Sequence, residues 1–181
     1  MSDSQTLIDQ TKAWLSSVII EHRLCPFAKR EFDRGRISYR VVETSDLSIQ
    51  LENLIAECEE LDADDGRETS LLIFPTGLSD YLDYLDMLDI ANALMAKQGY
   101  EGVYQLASFH PDYLFAGAEI DDPSHYTNRS PYSMLHILRE ASLEVVLKTY
   151  PNPEEIPDRN IELTRSIGLD AMKALLANCY K

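Results

Sequence analysis

The residues best suited to chemistry lie between positions 110 and 132. His110 and Asp112 follow an apolar run ending at Phe109, and Asn128, Arg129 and Ser130 stand immediately before Pro131 and Tyr132. Ser130 as an N-cap, with Pro131 in the first helical position, predicts a helix over about 131–149. The free N–H groups and dipole at such an N-terminus would hold an anion. The planar fork of Arg129 suits a carboxylate or phosphate, and His110 would act as general acid or base. Thr76, leaving the preceding strand, is expected beside His110. Tyr132 in the first turn, with His136 and Arg139 turned away from an apolar Met134, Leu138, Ala141, Val145 stripe, completes the ligand-binding set. The chain so read is an enzyme for a small anionic metabolite. The same residues also have a plain structural use, with Asn128 and Ser130 capping the helix and Arg129 paired to a surface acid.

Two further groups compete with that reading. Cys25 precedes Pro26, where the N–H groups of a following turn would lower its pKa, so it is a candidate nucleophile with His22 or His110 as its base. A thioredoxin-like redox role is disfavoured, because Cys25 follows a long helix and Ala28 occupies the place of a second cysteine. As a buried small hydrophobe beside Leu24 and Phe27, Cys25 would instead be core. His110, Asp112, His125 and His136 form an alternative metal-ligand set of nitrogen and oxygen donors, although their spacing follows no established ligand pattern. Asp80, Asp83, Asp86 and Asp89 recur every third residue. On a helix that spacing rotates each backward by about 60° and spreads them over a solvated face. Phosphate-loop, dinucleotide, nucleophile-elbow and zinc-helix motifs are absent, and no cofactor is indicated.

The elements that must position these residues follow from periodicity. Residues 4–23 read as an amphipathic helix, and Pro26 opens a short turn that Gly35 ends. A strand is predicted at 36–43 and a helix carrying Leu47, Leu51, Leu54, Ile55, Cys58 and Leu61 follows it. Residues 70–74 (SLLIF) form a continuous apolar run, the pattern of a central strand covered on both faces. Ser79 or Asp80 caps the next helix, which Gly99 stops, and a third strand spans about 103–109. This order predicts an α/β fold: a small, largely parallel sheet of three strands in βαβαβ order, covered by the N-terminal and C-terminal helices. Residues 110–130 form a long irregular loop, the kind of segment that carries function. The last helix is interrupted near Gly168 and ends around Cys179.

Composition narrows the partners. With 181 residues and 45% hydrophobic content, one domain spanning residues 1–181 is expected. A net charge of −15 repels nucleic acid and anionic membrane surfaces. No apolar stretch reaches the roughly 20 residues of a membrane span, and the first residues lack the pattern of an export signal. Three widely spaced cysteines fit neither a disulfide framework nor a metal knuckle, which points to a reducing, cytoplasmic setting. A non-catalytic binding or interaction module is the remaining alternative, and the oligomeric state is open.

Several strings carry a resemblance. With Leu24-Cys25-Pro26-Phe27-Ala28, Phe109-His110-Pro111-Asp112-Tyr113, Phe115-Ala116-Gly117, Asp122-Pro123, Tyr126-Thr127-Asn128-Arg129-Ser130-Pro131-Tyr132, Leu135-His136 and Leu138-Arg139-Glu140, the chain resembles a bacterial family named domain of unknown function 1415. The resemblance covers nearly the whole length. It implies a single-domain bacterial protein without an assigned reaction, whose characteristic strings are polar and fall on the segment described above.

Overall fold

The amphipathic pattern at the N-terminus becomes a helix that changes its winding halfway. In the computed structural model, which describes residues 3–181, α1 runs Ser4–Trp14 and continues as a π-helix over Leu15–Ile20. The wider turn is closed by Glu21 N–H donating to Ser16 O at 3.0 Å and Leu24 N–H to Ile19 O at 2.9 Å. It brings the adjacent pairs Trp14, Leu15 and Val18, Ile19 inward together, and all four are buried. Arg23 then takes a left-handed φ of 53° and turns the chain into Cys25-Pro26-Phe27 and the short helix α2, Ala28–Asp33.

Next come β1 (Ile37–Val41), α3 (Leu47–Ala63), β2 (Thr69–Phe74), α4 (Tyr81–Lys97) and β3 (Tyr104–Phe109). The two long helices start where short acidic side chains can take the free N–H groups of the first turn. Asp46 accepts from Ser48 and Ile49, and Asp80 accepts from Leu82 and Asp83. A long connection with a 3-10 turn at Pro123–Thr127 leads to β4 (Ser133–Arg139), which runs directly into α5 (Glu140–Thr149). α6 (Ile156–Ile167) and α7 (Leu169–Asn178) end the chain, separated by Gly168 at a φ of 90°.

The sheet order is β1-β2-β4-β3. β1 and β2 are parallel, and β4 is antiparallel to both β2 and β3. The fold is therefore α/β with a mixed four-stranded sheet, which corrects the expected three-stranded, largely parallel one. The strands β1, β2 and β3 do share a direction, but β4 is inserted between β2 and β3. Its sequence concealed it for a physical reason. An interior strand covered on both faces lacks polar alternation, and Met134, Leu135 and Ile137 are all fully buried. With Ser130-Pro131 in front and a true helix from Glu140 behind, the run imitates a single helix. Ser130 caps nothing: its hydroxyl donates to Tyr132 O at 2.6 Å.

Alternation along the strands divides the interior into two layers. Leu72, Phe74, Leu135 and Ile137 pack against α3 and α4 with Leu54, Cys58, Tyr84 and Met87. Leu71, Ile73 and Met134 face the opposite way, onto Trp14, Val18, Ile19, Tyr126 and Met172 from the N-terminal helix, the long connection and α7. Among the described residues no helix is long and apolar enough to cross a membrane.

Candidate functional site

The polar residues of the 110–132 segment are spent on holding that segment together. His110 is fully buried; its Nε2–H donates to Leu78 O at 3.0 Å while Nδ1 accepts from Asp112 N–H at 3.0 Å. Burial holds its pKa below the ordinary histidine value, in keeping with a neutral ring. His125 is bound in the same way, Nδ1 accepting from Phe115 N–H at 3.1 Å and Nε2–H donating to Glu119 O at 2.8 Å. Asn128 donates to Ser108 O, and Arg129 donates through Nε to Tyr113 O at 3.1 Å with its guanidinium over the Tyr126 ring. Tyr132 donates to Gln10. Thr76 and the Asp112 side chain are exposed, Thr76 beside Gly77, whose φ of 86° and close approach to the Ser45 backbone leave no room for a side chain.

Because residues 133–139 are a strand, the helix N-terminus expected at 130–132 to cradle an anion is not formed. The metal set fails on similar grounds. Both nitrogens of His110 and His125 are occupied, and among the described residues no group of three or more His, Cys, Asp or Glu side chains is placed to hold a metal ion.

Three of the predicted residues do meet elsewhere. Cys25, His136 and Arg139 line one cavity of about 700 Å3 between the sheet, the N-terminal helix and α5. Its floor is Thr69 and Leu71 of β2, Ala107 and Phe109 of β3, and His136 and Leu138 of β4. Trp14, Leu15, Ile19 and the Cys25–Ala28 turn form one wall, and Ala141, Val145 and Val146 of α5 form the other. π-helical turns recur at functional sites because they push side chains out of register, and here Leu15 and Ile19 of the π-helix reach the cavity. Arg139 contributes little polarity to it. Its guanidinium is committed to the carbonyls of Leu61 and Arg67 and to the Tyr104 hydroxyl.

His136 stands apart from His110 and His125, the two fully buried histidines. Its Nε2 is bonded to Thr69 Oγ, and the Thr69 hydroxyl donates its single proton to Ile137 O at 2.6 Å. The Thr69 oxygen must therefore accept from His136, which puts the imidazole proton on Nε2 and the lone pair on Nδ1. Among the described residues no group donates to that Nδ1, and the surface His136 retains belongs to the cavity wall. Burial brings its pKa down to about 4, so the ring is neutral at physiological pH. Cys25 is held in the protonated form as well. The Phe27 and Ala28 N–H groups pull its pKa down, in the sense expected for a residue before a helical turn, but burial outweighs them and pushes the thiol up.

A charged network borders the same space. Glu31 receives Arg30 Nε at 2.7 Å and Glu68 receives Arg36 at 3.0 Å, while Arg36 also lies 3.4 Å from Glu31 Oε2 without hydrogen-bond geometry. Glu31 Oε2 and Glu68 Oε1 are buried without a donor. Arg30 leaves 58% of its side chain exposed, so the network reaches the surface. Sequence reasoning missed Thr69, Glu31, Glu68 and the cavity itself. Each lining segment looks like ordinary core or ordinary surface, and only the sheet order brings them together.

A family model described as "Protein of unknown function (DUF1415)" matches residues 6–174. No curated protein and no solved structure matches the chain.

Proposed function

Since the chain belongs to the DUF1415 family, whose description carries no reaction, we propose its function from the cavity: the protein binds a predominantly apolar small molecule between its sheet and α5. Any chemistry it performs takes place there, with His136 and Cys25 as the groups at hand. The observation that carries this reading is the cavity's size and lining. Protein interiors are packed with few voids larger than a water molecule, whereas pockets of roughly 300–1,000 Å3 with apolar walls and a few polar groups are the usual form of a small-molecule site. An anionic metabolite at 110–132 is the weaker alternative, because residues 133–139 form a strand rather than a helix with a free N-terminus, and Asn128 and Ser130 would each have to give up an existing partner.

Trp14 is the single tryptophan and lines the cavity, packed edge-on to Phe109 with ring centroids 5.2 Å apart. It therefore reports occupancy by energy transfer to an uncharged apolar dye. Nile red should bind saturably at one site per chain, with blue-shifted emission and quenching of Trp14. Ala107→Phe, which fills the cavity floor, should abolish binding while leaving the circular dichroism melt cooperative. Absence of saturable binding, or equal binding by Ala107→Phe, would overturn the proposal.

A further inference from the structure

Resting on that cavity reading, we infer that the ligand carries a hydrogen-bond donor, an O–H or N–H on an otherwise apolar skeleton, and that this donor docks on Nδ1 of His136. The chain of protons fixes what His136 can offer. Thr69 has one proton and gives it to Ile137 O, so Thr69 accepts from His136 Nε2–H and Nδ1 presents only a lone pair. Among the described residues no donor, the Cys25 thiol included, reaches that nitrogen. When an apolar ligand fills a space walled by Leu71, Phe109 and Leu138, an acceptor left without a proton loses the full worth of its hydration. A ligand that brings a donor to it recovers that loss, and one that brings an acceptor does not.

The other polar groups of the lining bias the cavity in the same direction. Glu31 Oε2 and Glu68 Oε1 are acceptors without donors, and the Arg139 guanidinium is occupied on the far face of the sheet. Arg30 is mostly exposed and already bonded to Glu31. The buried unpaired atoms of the lining are therefore acceptors, and the donors it keeps, the Ser142 and Tyr150 hydroxyls and the Cys25 thiol, are uncharged. A carboxylate or phosphate head would set its lone pairs against His136, and Arg30 and Arg36 are already paired with Glu31 and Glu68, so its charge would meet no unpaired cation of the lining. Alcohols, phenols, amides and amines meet the opposite situation.

The test is displacement of Nile red by a ten-carbon series that differs only in its head: 1-decanol, decylamine, decanoate and the donorless ether 1-methoxydecane. Decanol should displace about tenfold more tightly than either the ether or decanoate, as one hydrogen bond in a low-dielectric site allows. His136→Phe should bring decanol within about twofold of the ether while leaving the ether itself unchanged. Thr69→Val is the second variant, since it removes the acceptor that holds the proton on Nε2, and it should likewise erode the decanol advantage. An ether equal to decanol, or decanoate as the tightest member, would overturn the donor assignment while Nile red binding keeps the cavity reading intact. Decylamine far above decanol in the wild type and unchanged in His136→Phe would move the contact to Glu31 and Glu68 and overturn the placement on His136. Failure of Nile red to bind at all overturns the cavity reading and this inference together.

Discussion

At the scale of single residues, ring nitrogens separate the buried histidines. His110 and His125 each use one nitrogen as donor and one as acceptor toward backbone, which makes them fasteners of loop structure. His136 uses one and keeps the other as an acceptor at a cavity. Its titration has a consequence for stability. An unfolded histidine titrates near 6.5, whereas burial lowers His136 in the folded protein to about 4. Between these values the unfolded chain takes a proton that the folded one refuses, so stability is lost as the pH falls through that window. The loss attributable to this ring amounts to about 3 kcal/mol once the pH reaches 4. Urea melts at pH 7.5 and 4.5 should show His136→Phe losing less stability on acidification than the wild type, by roughly 2–3 kcal/mol. Parallel losses in the two proteins would mean that His136 does not titrate in this way. Burial also lowers His110, but that contribution is present in both proteins and cancels from the comparison.

At the scale of elements, the long connection from β3 to β4 is shaped by those fasteners. His110 ties it to Leu78, His125 ties Glu119 to Phe115, and Asp122 caps the 3-10 turn through Ser124 N–H while forming a two-pronged pair with Arg165 of α6. His110→Phe should leave Asp112 N–H without its acceptor and Leu78 O with only the Ser133 hydroxyl as donor, and it replaces a fully enclosed polar ring with one that cannot bond to either. We expect it to cost about 2–3 kcal/mol of stability in urea melts while Nile red binding in the cavity stays at the wild-type level. A loss of binding with stability preserved would return His110 to a catalytic or ligand-contacting role. This contrast also marks what the chain discloses about itself. Helices α3 and α4 were legible because a capping aspartate opens each and an apolar stripe runs along it, and β2 was legible as a continuous apolar run. β4 was not, because burial on both faces removed its alternation and the preceding serine-proline pair mimicked a helix start. Of the site, Cys25 was named from sequence as a nucleophile before a turn, and His136 and Arg139 as ligand residues on a helix that is in fact β4. The cavity that unites them is assembled from six separate stretches of chain, and nothing local in any one of them announces it.

At the scale of the whole molecule, the sheet separates two layers built to different standards. The layer under α3 and α4 is filled, with Leu54, Cys58, Leu61, Leu72, Tyr84, Leu135 and Ile137 fully buried and in mutual contact. The layer on the opposite face is closed by Trp14, Val18 and Met172 at one side and opens into the cavity at the other, under a helix, α5, that has no buried residue. A chain with a net charge of −15 repels itself, so its cohesion rests on buried apolar packing, and a side chain beneath α3 and α4 is more tightly enclosed than one at the cavity wall. Truncation should register the difference. Leu54→Ala opens a new void in close-packed surroundings and should cost about 3 kcal/mol. Val146→Ala only enlarges a space that already exists and removes contacts from a half-exposed side chain, so its cost should stay below about 1 kcal/mol. Urea denaturation of both variants measures this directly. If Val146→Ala proved as costly as Leu54→Ala, α5 would be an integral part of the packed core, and ligand entry would have to occur without its displacement. If the costs differ as expected, α5 is held weakly enough to move aside, and a ligand seated beneath it should stabilise α5 more than any other helix.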